Sequence, residues 1–161
     1  MTQRFEQIYA DHHGAIQAYV RRRAPEELVE DVVSETFVVC LRRIDRVPPE
    51  PLPWLYAVAW KTLANERRKQ RRIAQGQELP ATVPEPVGDG LLAEAFNSLG
   101  ERDREVLRLV AWEGLSLTDA ATVLGCSGIS CRVRYHRAKT RLASRLEAAG
   151  SFPPQPKEVT R

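Results

Sequence analysis

Residues 113–142 read EGLSLTDAATVLGCSGISCRVRYHRAKTRL, and the fold turns on this stretch. Gly114 breaks a preceding helix. Ser116, with Asp119 three positions on, resembles a capping box that opens the next one. Gly125 suits the end of that helix, because glycine takes left-handed backbone without a Cβ penalty. Ser127 is placed to cap a further helix. From residue 127 to residue 145 the chain carries Arg132, Arg134, Arg137, Lys139, Arg141 and Arg145, and no acid. A short helix, a tight break and a strongly basic helix form the pattern of a helix-turn-helix.

Stepping about 100° per residue along the basic helix separates its faces. Cys131, Tyr135, Ala138 and Leu142 fall in one arc, which is the expected buried face. Ile129, Ser130, Val133, His136, Arg137 and Thr140 lie opposite, flanked by Arg132, Arg134 and Arg141. Small and polar groups near a helix N-terminus reach base edges, and flanking arginines hold phosphates. Arg137 suits a guanine edge, and Ile129 and Val133 suit thymine methyls. The alternatives are a solvated surface for the arginines, a structural histidine for His136, and a simple helix cap for Ser127.

The rest of the chain shares this charge pattern. Residues 61–72 hold Lys61, Arg67, Arg68, Lys69, Arg71 and Arg72 against Glu66, a net +5. Residues 76–90 hold Glu78, Glu85 and Asp89, a net −3. Two basic patches with an acidic spacer point to two contacts on one polyanion. No run approaches the ~20 apolar residues of a membrane span, and the N-terminus lacks a signal-peptide core. No membrane insertion and a cytoplasmic location are therefore expected. Cys40, Cys126 and Cys131 form no CxxC pair, so they read as small buried hydrophobes rather than a metal or disulfide site. No metal, no cofactor and no catalysis are expected: there is no phosphate-binding glycine loop, nucleophile motif or acid–base cluster.

Helical periodicity runs throughout, and no strand pattern competes with it. Phe5, Ile8, Tyr9, Ile16, Tyr19 and Val20 stripe a first helix that ends in Arg21, Arg22 and Arg23. Pro25, Glu26 and Glu27 open a second, with Leu28, Val32, Val33, Phe37, Leu41 and Ile44 as its apolar set. VPPEPLP, residues 47–53, stops it. A third helix is expected from about Trp54 to Arg72. Leu92, Ala95, Phe96 and Leu99 predict another. The expectation is all-α: two small helical domains, 1–74 and 91–149, joined by a flexible linker at 75–90, the second domain a helix-turn-helix, with a disordered tail at 150–161.

EDVVSETFVVCLRRID (residues 30–45) and LGERDREVLRLVAWEGLSLTDAATVLGCSGISCRVRYHRAKTRL (residues 99–142) closely resemble regions two and four of bacterial RNA polymerase sigma factors. The missing middle region and the small size resemble the extracytoplasmic-function (ECF) type. The resemblance spans roughly residues 5–145. It implies an alternative sigma factor, not an enzyme, that binds RNA polymerase core and directs initiation at promoter DNA. It also implies that an anti-sigma factor, common in the family, is a further partner.

Residue by residue, the resemblance implies core docking by Asp31, Glu35, Phe37 and Arg42, although Phe37 also fits the apolar stripe of its helix. It implies −10 binding and melting in the first domain, where Trp60, Lys61, Asn65, Arg67, Arg68 and Lys69 supply the basic, stacking surface that an unpaired strand needs. Trp54 is expected to be core, and Trp60 exposed. It implies −35 binding by Ser127, Ile129, Ser130, Arg132, Val133, Arg134 and Arg137. Three departures stand out. The loop DRVPPEPLP is dense in proline. Lys61 and Asn65 stand where the family usually has Asn and Asp. Ile129 and Val133 replace its small Gly and Ser. The rival reading is a stand-alone helix-turn-helix regulator that does not require polymerase.

Overall fold

The computed structural model describes residues 2–75 and 90–150, and among these every regular element is a helix. The linker expected at 75–90 and the tail at 150–161 lie almost wholly outside the described residues. α1 spans Thr2–Arg21, α2 Glu26–Arg42, and a 3-10 turn Ile44–Arg46 leads to α3, Leu52–Ala74. The second unit holds α4 (Leu91–Asn97), α5 (Glu101–Ala111), α6 (Leu117–Leu124) and α7 (Gly128–Ala148).

The boundaries follow from local chemistry. Pro25, extended at φ −62° and ψ 150°, is the N-cap of α2, with Glu26 and Glu27 in the positive first turn. The proline-rich segment does not prevent a new helix. Pro51 and Pro53 sit at the start of α3, where a missing N–H costs nothing. Arg4 of α1 donates to the carbonyls of Ile44 and Val47, tying this segment back to the first helix. Ser116 and Ser127 accept from the amides of Asp119 and Ser130, each at 3.1 Å. Gly125 lies at φ 67°, a left-handed cap that lets α6 and α7 turn sharply.

Ile16, Tyr19, Val20, Val32, Phe37, Cys40, Leu55 and Leu63 form the core of the first unit. Val106, Leu109, Ala120, Val123, Leu124, Cys131 and Ala138 form that of the second. Three residues of the expected stripes lie outside. Tyr9 and Leu41 are exposed beside a surface hollow, and Leu92 is exposed because the short α4 buries Ala93 and Ala95 instead.

The two units are in contact, with α6 packed along α3 and the buried apolar side chains of both halves continuous. The expected tether between separable modules therefore joins two bodies that close on each other here. At the centre of the contact Arg23 is fully buried. Its Nε lies 3.1 and 2.9 Å from the two carboxylate oxygens of Glu105, and Nη1 and Nη2 donate to Glu113 at 3.1 and 3.0 Å. Tyr19 donates its hydroxyl to Glu105 at 2.8 Å and offers its ring face to the guanidinium at 3.7 Å. Burial by itself would lower the Arg23 pKa; Glu105, Tyr19 and Glu113 outweigh it, and the group stays charged. Burial, then Glu105, raises the Tyr19 phenol, so it remains a donor.

Candidate nucleic-acid interface

α7 is built as its residue angles predict. Cys131 and Ala138 are buried, and Tyr135 and Leu142 partly so, which pins one face against α5 and α6. The opposite face is open. Ser127, Ser130, Arg132, His136 and Arg137 are exposed, and Ile129 and Val133 are 80% and 44% exposed. A helix start capped by Ser127 gives this face a positive end, suited to a phosphate.

One expected contact is engaged elsewhere. Arg134 donates to Asp103 at 3.0 Å, and Arg141 donates to the other oxygen at 2.9 Å. Asp103 is nearly buried on α5, so two guanidiniums offset the cost of taking its carboxylate largely out of water. Arg134 therefore helps to hold α7 on its own unit and is not free on the open face, unlike Arg132 and Arg137. The cause is angular: Arg134 and Arg141 lie nearer the buried arc than Arg137 does.

α3 divides its candidates between two faces. Lys61, Asn65 and Arg68 fall within about 60° of one another on the helix and are exposed, with Lys69 at their edge. Arg67 and Trp60 are turned about 100° from that row. Arg67 pairs with Glu101 and donates to the Arg23 carbonyl at 3.1 Å. It belongs to the contact between the units, which corrects its assignment to one site with Lys61. Trp60 is half-buried against the core rather than exposed, and Trp54 is likewise half-buried against it.

α2 carries an exposed row of Asp31, Glu35, Val38 and Arg42, aligned within about 60°. Phe37 is only 3% exposed, so it is a core residue and not an exposed anchor. It still floors a shallow hollow of about 230 Å³, lined also by Phe5, Tyr9, His13, Val38 and Leu41. Tyr9 meets Phe37 edge to face and His13 stacks on it, at 4.8 and 5.9 Å between ring centroids. The hollow adjoins the charged row, giving α2 an apolar cleft with a charged rim. Sequence reading missed Tyr9 and His13 here, because Tyr9 fitted the core stripe and His13 carried no signal.

The comparisons with known proteins agree in order and position. Sigma-70 region 2 matches residues 8–73, and sigma-70 region 4 matches residues 89–142. An ECF RNA polymerase sigma factor of Caulobacter vibrioides, SigF, is 34% identical, covering 83% of this chain and 80% of that protein. The RNA polymerase sigma factor CnrH of Cupriavidus metallidurans is 30% identical, covering 89% and 87%. The structure of CnrH with the cytosolic domain of CnrY superposes with TM-score 0.64 over 92% of this chain and 90% of that one, at 28% identity. A Bartonella quintana sigma factor, RpoE, solved with the anti-sigma factor NepR, shares the fold at TM-score 0.68 over 89% and 96%, at 23% identity.

Proposed function

Because the chain belongs to the sigma-70 family, as an ECF-type alternative sigma factor that directs transcription initiation, we propose a division of labour among its three exposed surfaces. The α2 row of Asp31, Glu35 and Arg42 docks on RNA polymerase core, with the adjoining hollow over Phe37 taking an apolar side chain of the partner. The α3 row of Lys61, Asn65, Arg68 and Lys69 holds the backbone of the melted −10 strand. The α7 face of Ser127, Ile129, Ser130, Arg132, Val133 and Arg137 reads the −35 duplex.

No step of this mechanism makes or breaks a covalent bond on the chain. Strand opening is a population shift: bases held outside the stack favour the open duplex over the closed one. On α3 the cations Lys61, Arg68 and Lys69 hold the strand's backbone, and the amide of Asn65 can hydrogen-bond an unpaired base and so contribute to the choice of −10 element. The −35 contacts depend on base edges and methyl groups in the major groove. Ile129 and Val133 are apolar and exposed at the start of α7, so thymine methyls are the groups they suit.

The observation that supports this reading is the pairing of exposed basic rows on α3 and α7 with an exposed strip on α2 that joins Asp31 and Glu35 to an apolar hollow, a surface that a duplex would not attract. The relatives CnrH and RpoE were solved with the CnrY cytosolic domain and the anti-sigma factor NepR, and an anti-sigma factor is proposed as a partner class for this chain also. Capture on immobilised core polymerase tests the proposal. Stoichiometric retention on core supports it; a chain that binds duplex DNA and passes through the core column would return the reading to a stand-alone regulator.

A further inference from the structure

Cys126 and Cys131 flank the start of α7. Gly125 donates its N–H to the Thr122 carbonyl at 3.3 Å, and Cys126 donates to the Ala121 carbonyl at 3.1 Å, the paired bonds that close α6 in a Schellman motif. Ser127 then caps α7, so Cys126 stands just before the cap and Cys131 is the fourth residue of the helix. Those are the two positions of a hydrophobic staple, whose side chains pack on each other across the first turn. Here both staple side chains are thiols. Cys131 is wholly buried, Cys126 is half-buried against the same cluster, and the two lie within hydrogen-bond reach of each other.

We propose that this thiol pair is a modification site, which a peroxide closes to a Cys126–Cys131 disulfide that resets the start of the recognition helix. Cys126 is the member open to solvent, so it reacts first. Its thiolate attacks one peroxide oxygen. The S–O bond forms, the O–O bond breaks, and the other oxygen takes a proton and leaves as water or an alcohol. The sulfur has lost two electrons and is a sulfenic acid. Cys131 then attacks that sulfur. The S–S bond forms, the S–O bond breaks, and the hydroxyl leaves as water with the Cys131 proton. A thiol reductant returns both groups by exchange. Burial, then the neighbouring Cys126, raises the Cys131 pKa, so it waits as a neutral thiol. Among the described residues no third His, Cys, Asp or Glu joins the pair to hold a metal.

The bond changes the geometry of the turn. A disulfide holds its sulfurs at about 2.05 Å, closer than two thiols in hydrogen-bond contact stand. Cys131 is fixed in the core of the second unit, so Cys126 is the residue that moves. Ser127 is its chain neighbour. The Ser127 Oγ accepts from the Ser130 amide at 3.1 Å, and the Ser127 carbonyl accepts from the Cys131 amide at 2.9 Å. Drawing Cys126 inward pulls on both bonds and loosens the turn that carries Ile129 and Ser130. The reduced chain then selects its −35 element, and the oxidised chain selects it less well. This consequence rests on the reading of α7 as the −35 helix; the thiol pair itself does not.

Full-length chain, reduced or treated with hydrogen peroxide, tests this, with Cys126→Ser as the variant that cannot close the bond. Peptide mapping by mass spectrometry, amide exchange at Ser130 and Cys131, and enrichment from a randomised duplex library are measured for each. Cys126 and Cys131 are expected in one linked species lighter by two hydrogens, while Cys40, wholly buried in the first unit, stays a free thiol. The two amides are expected to exchange about fivefold faster in the oxidised chain, and enrichment of the chosen element to fall about fivefold, the size of a lost helix cap. Dithiothreitol restores both, and Cys126→Ser shows neither change with peroxide. Free thiols at both positions after peroxide, or Cys126 stopped as a sulfinic acid or joined to a second chain, would overturn the site. A linked pair with parental exchange and parental enrichment would overturn the resetting of α7. A reduced chain that enriches no element counts against the −35 reading, and the peptide map and exchange rates still decide the thiol pair.

Discussion

Arg23 and Glu105 stand 82 positions apart in the chain and meet with both side chains fully withdrawn from water, Nε lying 2.9 Å from the carboxylate. Removing one member of such a pair costs about 3–5 kcal/mol when the other must stay buried. Here the penalty has an escape, because separating the units returns Glu105 and Glu113 to solvent. The loss is then capped at the free energy of closure. The parent chain is expected to melt as one cooperative transition, and Arg23→Ala as two, one for each unit. A single transition in the variant, merely shifted to lower temperature, would mean that the units cannot fold apart.

The docking strip gives a second prediction. Asp31 and Glu35 are exposed, one helical turn apart, and pair with nothing in the chain among the described residues. Asp31→Arg with Glu35→Arg is expected to weaken core binding at least a hundredfold and to leave helical content and melting within experimental error. Surface changes of this kind alter stability by only about 0.5 kcal/mol. Retention on core at parental affinity would move the docking surface elsewhere.

Lys61 and Arg68 share the exposed face of α3, and Arg67 does not. Lys61→Ala with Arg68→Ala is expected to weaken single-strand binding and flatten its salt dependence, the slope falling by about 1.4 for the pair. Arg67→Ala removes a cation already engaged by Glu101 and the Arg23 carbonyl, and so one that is less available to the strand. Its effect on single-strand affinity is therefore smaller than that of either Lys61→Ala or Arg68→Ala. Titrations at several salt concentrations separate these outcomes, and equal losses at all three positions would restore Arg67 to the DNA-facing row.

On α7, Arg137 and the apolar pair Ile129 and Val133 make different predictions. Arg137→Ala is expected to reduce selection of the −35 element by about 1–3 kcal/mol while changing nonspecific binding little. Ile129→Gly with Val133→Ser is expected to change which element is selected from a randomised library. A uniform loss across sequences would demote Arg137 to a phosphate contact. Unchanged selection by the double variant would give those two side chains to a protein partner.

How much of this was readable in the sequence depends on whether the determinant is local. Ser116, Gly125 and Ser127 act within four residues of themselves, and the structure puts each where its chemistry requires. The buried arc of α7 followed from angle alone, as Cys131 and Ala138 show. The same angular reading applied to α3 separates Arg67 from Lys61, so that division is legible in the sequence. Phe37 was open between core and interface, because a large aromatic on an apolar stripe satisfies both descriptions until its neighbours are known. The partners of Arg23 were beyond reach. They lie 82 and 90 positions away, and a run of three arginines at a helix end carries no sign that the last is buried. The pairing of Arg134 was out of reach for the same reason, its partner Asp103 being 31 positions off on another helix.

As an ECF-type sigma factor, this chain gives polymerase its choice of start site. Mapping the 5′ ends of transcripts made in vitro by purified core, with and without the chain, on genomic DNA of the source cell tests it most directly. A small set of start sites is predicted to appear only when the chain is added, sharing one upstream −35 motif and one −10 motif at fixed spacing. A start-site profile with the chain that matches core by itself would contradict the account.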